Sequence, residues 1–547
     1  MIGFARSTHN PRRGSGVRVR AVGVRSASLG GLVIAVAVLA ANRCPADDVG
    51  GDPPGSGMSI GINLAGPKDW NTELPTADVF RMSRPWISQR RGGAWASGPA
   101  LDLDDHGYPR RLPDGVFAES LACTIDDGHY PAGRYVLTHA GTGRVEVDRA
   151  ATEVSRSPGR IEMDVDPSKK NIAVRLVETD PDDPVRDVHL WLPGLAPEPG
   201  GGGPRWNPTL IERWRGVDCV RFMDCQHTNN SDLASWEDRP VEGDQTFAEH
   251  GFPIEWLCDL ANRLRCDAWF CVPHSADDGF VREMARCIEE HLDADRRCYI
   301  EYSNEVWNRQ FSQNAYAAER GRALGLAEKP WEAAWRYTAV RSLEVFDIFA
   351  DVIGSTDRLV RVLPSQSANP YVSKTIAETR DAGAKADVLA IAPYISLNVK
   401  PEEAADVVAG GVDGVMTMLA GESFDRTLEN IREQKAVADR FGLKLVAYEA
   451  GQHAVGVGRA NQNQALTDVL TAANGDPRMG GLYERYLDAW ADAGGELMCL
   501  FSSVSKWGRY GSWGLMEYAD QTPKESPKMR AVAGRIRGRI PTPGSGR

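Results

Sequence analysis

No two of the ten cysteines in this 547-residue chain are spaced as CxxC, and none form the paired spacing of a metal site, so a zinc-type centre is not expected. No glycine-rich phosphate loop follows any strand-like run, which argues against nucleotide binding. With 42% hydrophobic and 25% charged residues, the chain also lacks the extremes that mark disorder, collagen or a coiled coil. Its length admits a large core and more than one domain. Several cysteines, Cys219 and Cys271 among them, fall inside apolar runs where a thiol packs as a small hydrophobe. Export would permit disulfides, with Cys258 and Cys266 as the candidate pair.

Acidic residues are missing from the first 28 positions, which hold six arginines and lead into an apolar run over 29–41. That run is short for a membrane span and has the order of a secretory signal, expected over 1–41, with an uncleaved anchor as the alternative. Removing those six charges from a formal net charge of −12 leaves −18. An acidic protein of this kind, secreted to the periplasm or the medium, is not expected to bind nucleic acid or to stay inserted in a membrane. A neutral polymer suits it better.

Asp, Gly and Pro over 42–57 read as a flexible linker, and residues 59–64 as a first strand. Over 99–203 the texture becomes short β-branched runs (134–138, 144–147, 160–165, 172–176) separated by turn residues, ending in the glycines of 200–203. This predicts an antiparallel β-sandwich-like domain inserted between the first and second strands of a larger fold. The rest, 58–98 and 204–520, alternates strands (219–223, 268–272, 297–302, 358–363, 388–392, 444–448, 497–501) with helices (253–264, 278–291, 313–352, 373–381, 424–441, 481–493). Strand–helix alternation without hairpins means parallel β/α units, and eight strands is the number that closes a (β/α)8 TIM barrel; an open doubly wound sheet is the alternative. Residues 521–547 are left as a tail.

A barrel places its chemistry where the strands end at their C-terminal mouth. The fourth strand runs into Asn304 and Glu305, the seventh into Glu449, with His453 close behind. Two carboxyls across one mouth meet the need of glycoside hydrolysis, in which one protonates the departing oxygen while the other attacks the anomeric carbon or guides water to it. A carboxyl separation of about 5–5.5 Å gives retention and a wider one inversion. A catalytically silent sugar-binding barrel and a polysaccharide lyase are the competing readings.

These residues resemble the clan A glycoside hydrolases, (β/α)8 barrels with an Asn-Glu acid/base on strand four and a glutamate nucleophile on strand seven. Further positions match: Arg221 on strand two, His274 after strand three, Tyr394 after strand six and Trp507 after strand eight. Ala392 stands where many members carry a histidine two residues before that tyrosine, and the insert is unusual, so the resemblance stops at the clan. It implies a retaining double displacement on a polysaccharide or oligosaccharide, with Glu305 as acid/base, Glu449 as nucleophile, and no metal or organic cofactor. Asn304 would bind the sugar 2-hydroxyl, and Arg221 and Tyr394 would hold Glu449. His274, Trp307, Trp507 and His453 complete the expected substrate-binding set.

Overall fold

The computed structural model describes residues 58–198, 201–354 and 357–536; the signal and linker readings over 1–57 lie outside them. Eight parallel strands close a barrel: Ser59–Asn63, Cys219–Arg221, Asp267–Val272, Cys298–Tyr302, Leu359–Pro364, Val388–Ile391, Lys444–Ala447 and Gly495–Leu500. We number them one to eight. Strand eight pairs back onto strand one, with Gly61 opposite both Cys219 and Cys499. A β-carbon at Gly61 would stand 2.4 Å from the Cys499 sulfur, so barrel closure at this point requires glycine.

The two-residue alternation of each strand sorts its side chains into two cores. Trp269, Cys271, Tyr299, Val446, Tyr448 and Cys499 fill the barrel interior. Phe222, Phe270, Ile300 and Leu445 face the helical shell. Glu301, on strand four, falls on the inward side of the same alternation and is fully buried. All nine described cysteines are free and buried. The pairing of Cys258 with Cys266 is therefore corrected: both sit in the helix-facing core, and the Cys266 thiol donates to the carbonyl of Ala261.

Between strands one and two lie two four-stranded antiparallel sheets. One runs in the order Ile87–Arg90, Val116–Ala122, Ile172–Thr179, Gly143–Arg149; the other Arg186–Trp191, Gly133–Ala140, Arg160–Val165, Ala151–Ser157. Their facing sides share a core that includes Tyr135, Leu137, Met163, Val174 and Leu176. The first of these strands begins at Ile87, ahead of the boundary read at residue 99. Ile87–Arg90 is short and only partly buried, and it is defined by pairing with Val116–Ala122 rather than by its own pattern.

The stretch 313–352, read as one helix, is two, Ser312–Ala323 and Pro330–Ile353. Gly325 turns the chain with φ 67°, and Pro330 starts the second helix because it lacks the N–H that continuing the first would need. The supposed tail also carries structure. The helix Pro527–Ala533 buries Met529 and Val532 in the barrel shell, and its Lys528 Nζ donates to the carbonyls of Ser512 (2.8 Å) and Trp513 (3.2 Å).

Candidate active site

Strand two ends on Arg221, which is 0% exposed. Its guanidinium lies against the rings of Tyr448 and Trp269, 4.9 and 5.6 Å from their centroids. Nε donates to Glu301 Oε2 (3.0 Å), Nη1 to Asn63 Oδ1 (3.2 Å) and Glu449 Oε1 (3.1 Å), and Nη2 to Asn304 Oδ1 (2.8 Å). One planar fork thus ties strands one, two, four and seven together at the mouth. Burial works against its charge, but Glu301 and Glu449 outweigh that and hold its pKa well above the usual arginine value.

Glu449 receives a second hydrogen bond, from the Tyr394 hydroxyl to Oε2 (2.9 Å). Burial and the Glu449 charge keep that phenol protonated, so it remains a donor. Both Glu449 oxygens are therefore hydrogen-bonded, one of them by a cation.

Glu305 is held differently. Ser303 and Glu305 both adopt left-handed backbone, φ 58° and 41°, a conformation that costs non-glycine residues of order 1–3 kcal/mol and marks a constrained turn. Asn308 Nδ2 donates to Glu305 Oε2 (2.9 Å) and the Tyr448 hydroxyl to Oε1 (3.1 Å). Neither donor is charged. Burial, then the nearby Glu449 charge, push the Glu305 pKa up to about 7, against the weaker pull of Asn308, Tyr448 and Arg221. The two carboxyls thus stand in different surroundings, Glu305 against uncharged donors and Glu449 against a cation.

Asn304 is clamped between Arg221 and Asn229, donating from Nδ2 to Asn229 Oδ1 (3.0 Å). Gln313 fixes the same unit by donating to Asn229 Oδ1 and to the Asn304 carbonyl, both at 2.8 Å. His453 lies on Gln452–Gly456, which pairs in parallel with Ile395–Val399 beyond strands seven and six. Its ring stacks on Trp513 (5.8 Å, 12°) and lies 5.7 Å from that of Tyr394. The structure therefore gathers Arg221, Asn304, Glu305, Tyr394 and Glu449, with His453 in the next layer.

Of the other three expected residues, Trp307 lies beside the Tyr448 hydroxyl that donates to Glu305, and His274 and Trp507 stand apart from that network. His274 is buried beside Tyr316 (5.2 Å between rings), its Nδ1 has no partner among the described residues, and its hydrogen-bonded carbonyl faces the Tyr302 hydroxyl. Trp507 and Trp307 line two different clefts. The larger, about 1230 Å³, holds Trp507 with Lys68, Asp224, Asn229 and Trp513; the smaller, about 620 Å³, holds Trp307 with Asn308. The glutamates belong to the lining of neither: Asn308, which donates to Glu305, lines the smaller cleft, while Asn229, bonded to Asn304, and Asp224, which feels the Glu449 charge, line the larger. A separate cavity of about 530 Å³, lined by Arg81, His189, Trp191 and Arg205, touches none of these groups.

Besides Asn63, Asn229 and Gln313, which hold Arg221 and Asn304 in place, the sequence reading misses Glu301, Tyr448, Asn308 and Asp224. Glu301 sits inside a strand, where an acid normally reads as an outward residue. Tyr448 was read only as strand, although the alternation that sends Val446 inward sends it inward too. Asn308 had a usable signal, three residues after Glu305. Asp224, in the larger cleft, has its pKa raised to about 7 by burial and then by Glu449, and only the folded geometry brings these two acids close.

No family model and no curated protein matches the chain. Among solved structures it is similar to a Bacteroidetes-affiliated GH5 cellulase (11% identity, 61% of this chain and 84% of that one, TM-score 0.37). It is also similar to a 4-O-α-L-rhamnosyl-β-D-glucuronidase from Fusarium oxysporum (10%, 59% and 64%, TM-score 0.37). A modular endo-β-1,4-mannanase of glycoside hydrolase family 26 from Cellulomonas fimi gives 12% identity over 58% of this chain and 63% of that one, at a TM-score of 0.32.

Proposed function

We propose that this protein is an exported glycoside hydrolase of clan A type that cleaves β-glycosidic bonds of a polysaccharide or oligosaccharide with retention. The observation that carries the reading is the asymmetry of the two glutamates. Glu305 is pushed to a pKa of about 7 by burial and by Glu449, whereas Glu449 receives hydrogen bonds from Arg221 and Tyr394. In the first step Glu449 attacks the anomeric carbon while Glu305 gives its proton to the departing oxygen. In the second, Glu305, now a base, takes a proton from water as that water releases the sugar from Glu449. Asn304, fixed by Arg221 and Asn229, presents its amide to the sugar 2-hydroxyl, and none of these steps calls for a metal. The arginine-rich leader is consistent with export.

The test is hydrolysis of soluble β-glucan, mannan, xylan and galactan by wild type, Glu305→Gln and Glu449→Gln, with the product anomer followed by NMR. Retention, with both variants losing activity on the polymer, supports the proposal. Inversion would make Glu449 a base rather than a nucleophile. Unsaturated products would make the protein a lyase, and three indistinguishable proteins would leave a silent sugar-binding barrel.

A further inference from the structure

The cleft on the Glu305 side has a composition that the reaction alone does not require. Its walls are Trp307, Trp331, Trp335 and Tyr371, and the only charged residue in its lining is Arg309. Trp331 and Trp335 lie one turn apart at the start of Pro330–Ile353, their rings 4.6 Å apart; Tyr371, near the start of Pro370–Glu378, closes on them at 6.5 and 6.1 Å. Tyr371 is 51% exposed and Trp331 is half-buried. An aromatic cluster open to solvent is the unusual observation, since burial is what such rings ordinarily gain from packing together. Asn308, Gln366 and Asn369 add uncharged amides to the same walls. Flat apolar faces rimmed by amides suit a neutral sugar ring, whose C–H faces stack while its hydroxyls hydrogen-bond.

Asn308 gives this cleft its place in the reaction. It lines the cleft and donates to Glu305 Oε2. Glu305 is the proton donor, so the sugar on its side is the departing one. The larger cleft is lined by Asp224, the acid that feels the Glu449 charge, and by Trp513, whose ring stacks on His453 beside Tyr394. Resting on the hydrolase reading above, we propose that Trp331, Trp335 and Tyr371 form a stacking subsite for the leaving-group portion of a neutral β-linked chain. The enzyme therefore cuts within chains that occupy both clefts.

The probes are glucose, mannose and xylose β-1,4-hexaoses and the 4-nitrophenyl β-biosides of the same sugars, whose small leaving group cannot span the platform. For a hexaose that wild type cleaves internally, Trp331→Ala and Tyr371→Ala are expected to lower kcat/KM through KM. The loss should be about tenfold greater than on the matching bioside, and Trp331→Phe should restore most of it. Hexaose titration of the Glu449→Gln protein by tryptophan fluorescence, with and without Trp331→Ala, reads the platform separately from hydrolysis. If wild type cuts nothing but Trp331→Ala abolishes this binding, the hydrolase reading fails and the platform stands. Equal losses on hexaose and bioside, hexaose cleavage and binding that ignore the substitutions, or release of single sugars from a chain end would each overturn the proposal.

Discussion

At the residue scale the site is an electrostatic balance around one cation. Arg221 faces Glu301 and Glu449 directly, so its single charge is committed before Glu305 and Asp224 are considered, and both of these are pushed up to about 7. Arg221→Ala should cost about 3–5 kcal/mol, because it leaves Glu301 fully buried and uncompensated; urea denaturation measures it, and a loss below about 1 kcal/mol would show that the pair is solvated. For Glu305 the sign follows from a raised pKa. Its protonated form is favoured by the fold, so its stability contribution is complete below the ordinary carboxyl range and is lost as pH rises through about 7. Activity that needs the proton should fall as pH rises through about 7, at the upper end of that decline, and Glu305→Gln should remove that part of the stability loss; urea midpoints from the ordinary carboxyl range up past pH 7 and a kcat/KM profile check both. Glu305, Glu449, Arg221 and Tyr394 could be found in sequence because each follows or ends a strand. Glu301 could not, since the reason for an acid there is an arginine eighty positions earlier in the chain.

At the element scale, strand assignments were the most legible part of the chain, because barrel strands are short runs buried on both faces. What the pattern missed depends on partners. Ile395–Val399 and Gln452–Gly456 are strands only because each has the other to pair with, and their role is to carry His453 over Tyr394. The helix Ala404–Met418 contains Gly410, Gly411 and Gly414, residues that lower any helical expectation. Gly451 joins strand seven to the second of the paired strands at φ 139°, and a β-carbon there would meet the Tyr483 hydroxyl at 2.8 Å. That hydroxyl accepts from the Gln452 amide (3.1 Å). Gly451→Ala is expected to destabilise by about 1–3 kcal/mol and to lower kcat, two residues from Glu449, more than KM. Thermal unfolding with steady-state kinetics checks it; a stable variant with wild-type kcat would mean this joint does not position the carboxylate.

At the scale of the whole molecule, the inserted sheets and the barrel share structure at the strand-eight loop, the segment that also carries Trp507 and Trp513. Tyr518, from that loop, is 7% exposed and lies in the core of the insert. His129, on an insert turn, stacks on it at 3.7 Å and 17°, and its Nδ1 lies 2.9 Å from Asp520. Lys506 pairs with Asp126 of the same turn, Arg213 holds the Ala519 carbonyl (2.6 Å), and Lys528 holds those of Ser512 and Trp513. The loop lining the larger cleft is thus fastened from the insert on one side and from the C-terminal helix on the other. The fastening to the insert was not legible in sequence, because its contacts join residues 380 and 391 positions apart through a loop with no periodic pattern. Truncating the ring removes a large buried side chain from the insert core, so Tyr518→Ala should destabilise by about 3–5 kcal/mol. It should also uncouple the two parts: calorimetry is expected to show one transition for wild type and an earlier, separate one for the insert in the variant, with KM raised as the loop loosens. A single transition shifted as a whole, with KM unchanged, would mean that the C-terminal helix alone holds the loop and that the insert merely rests beside it.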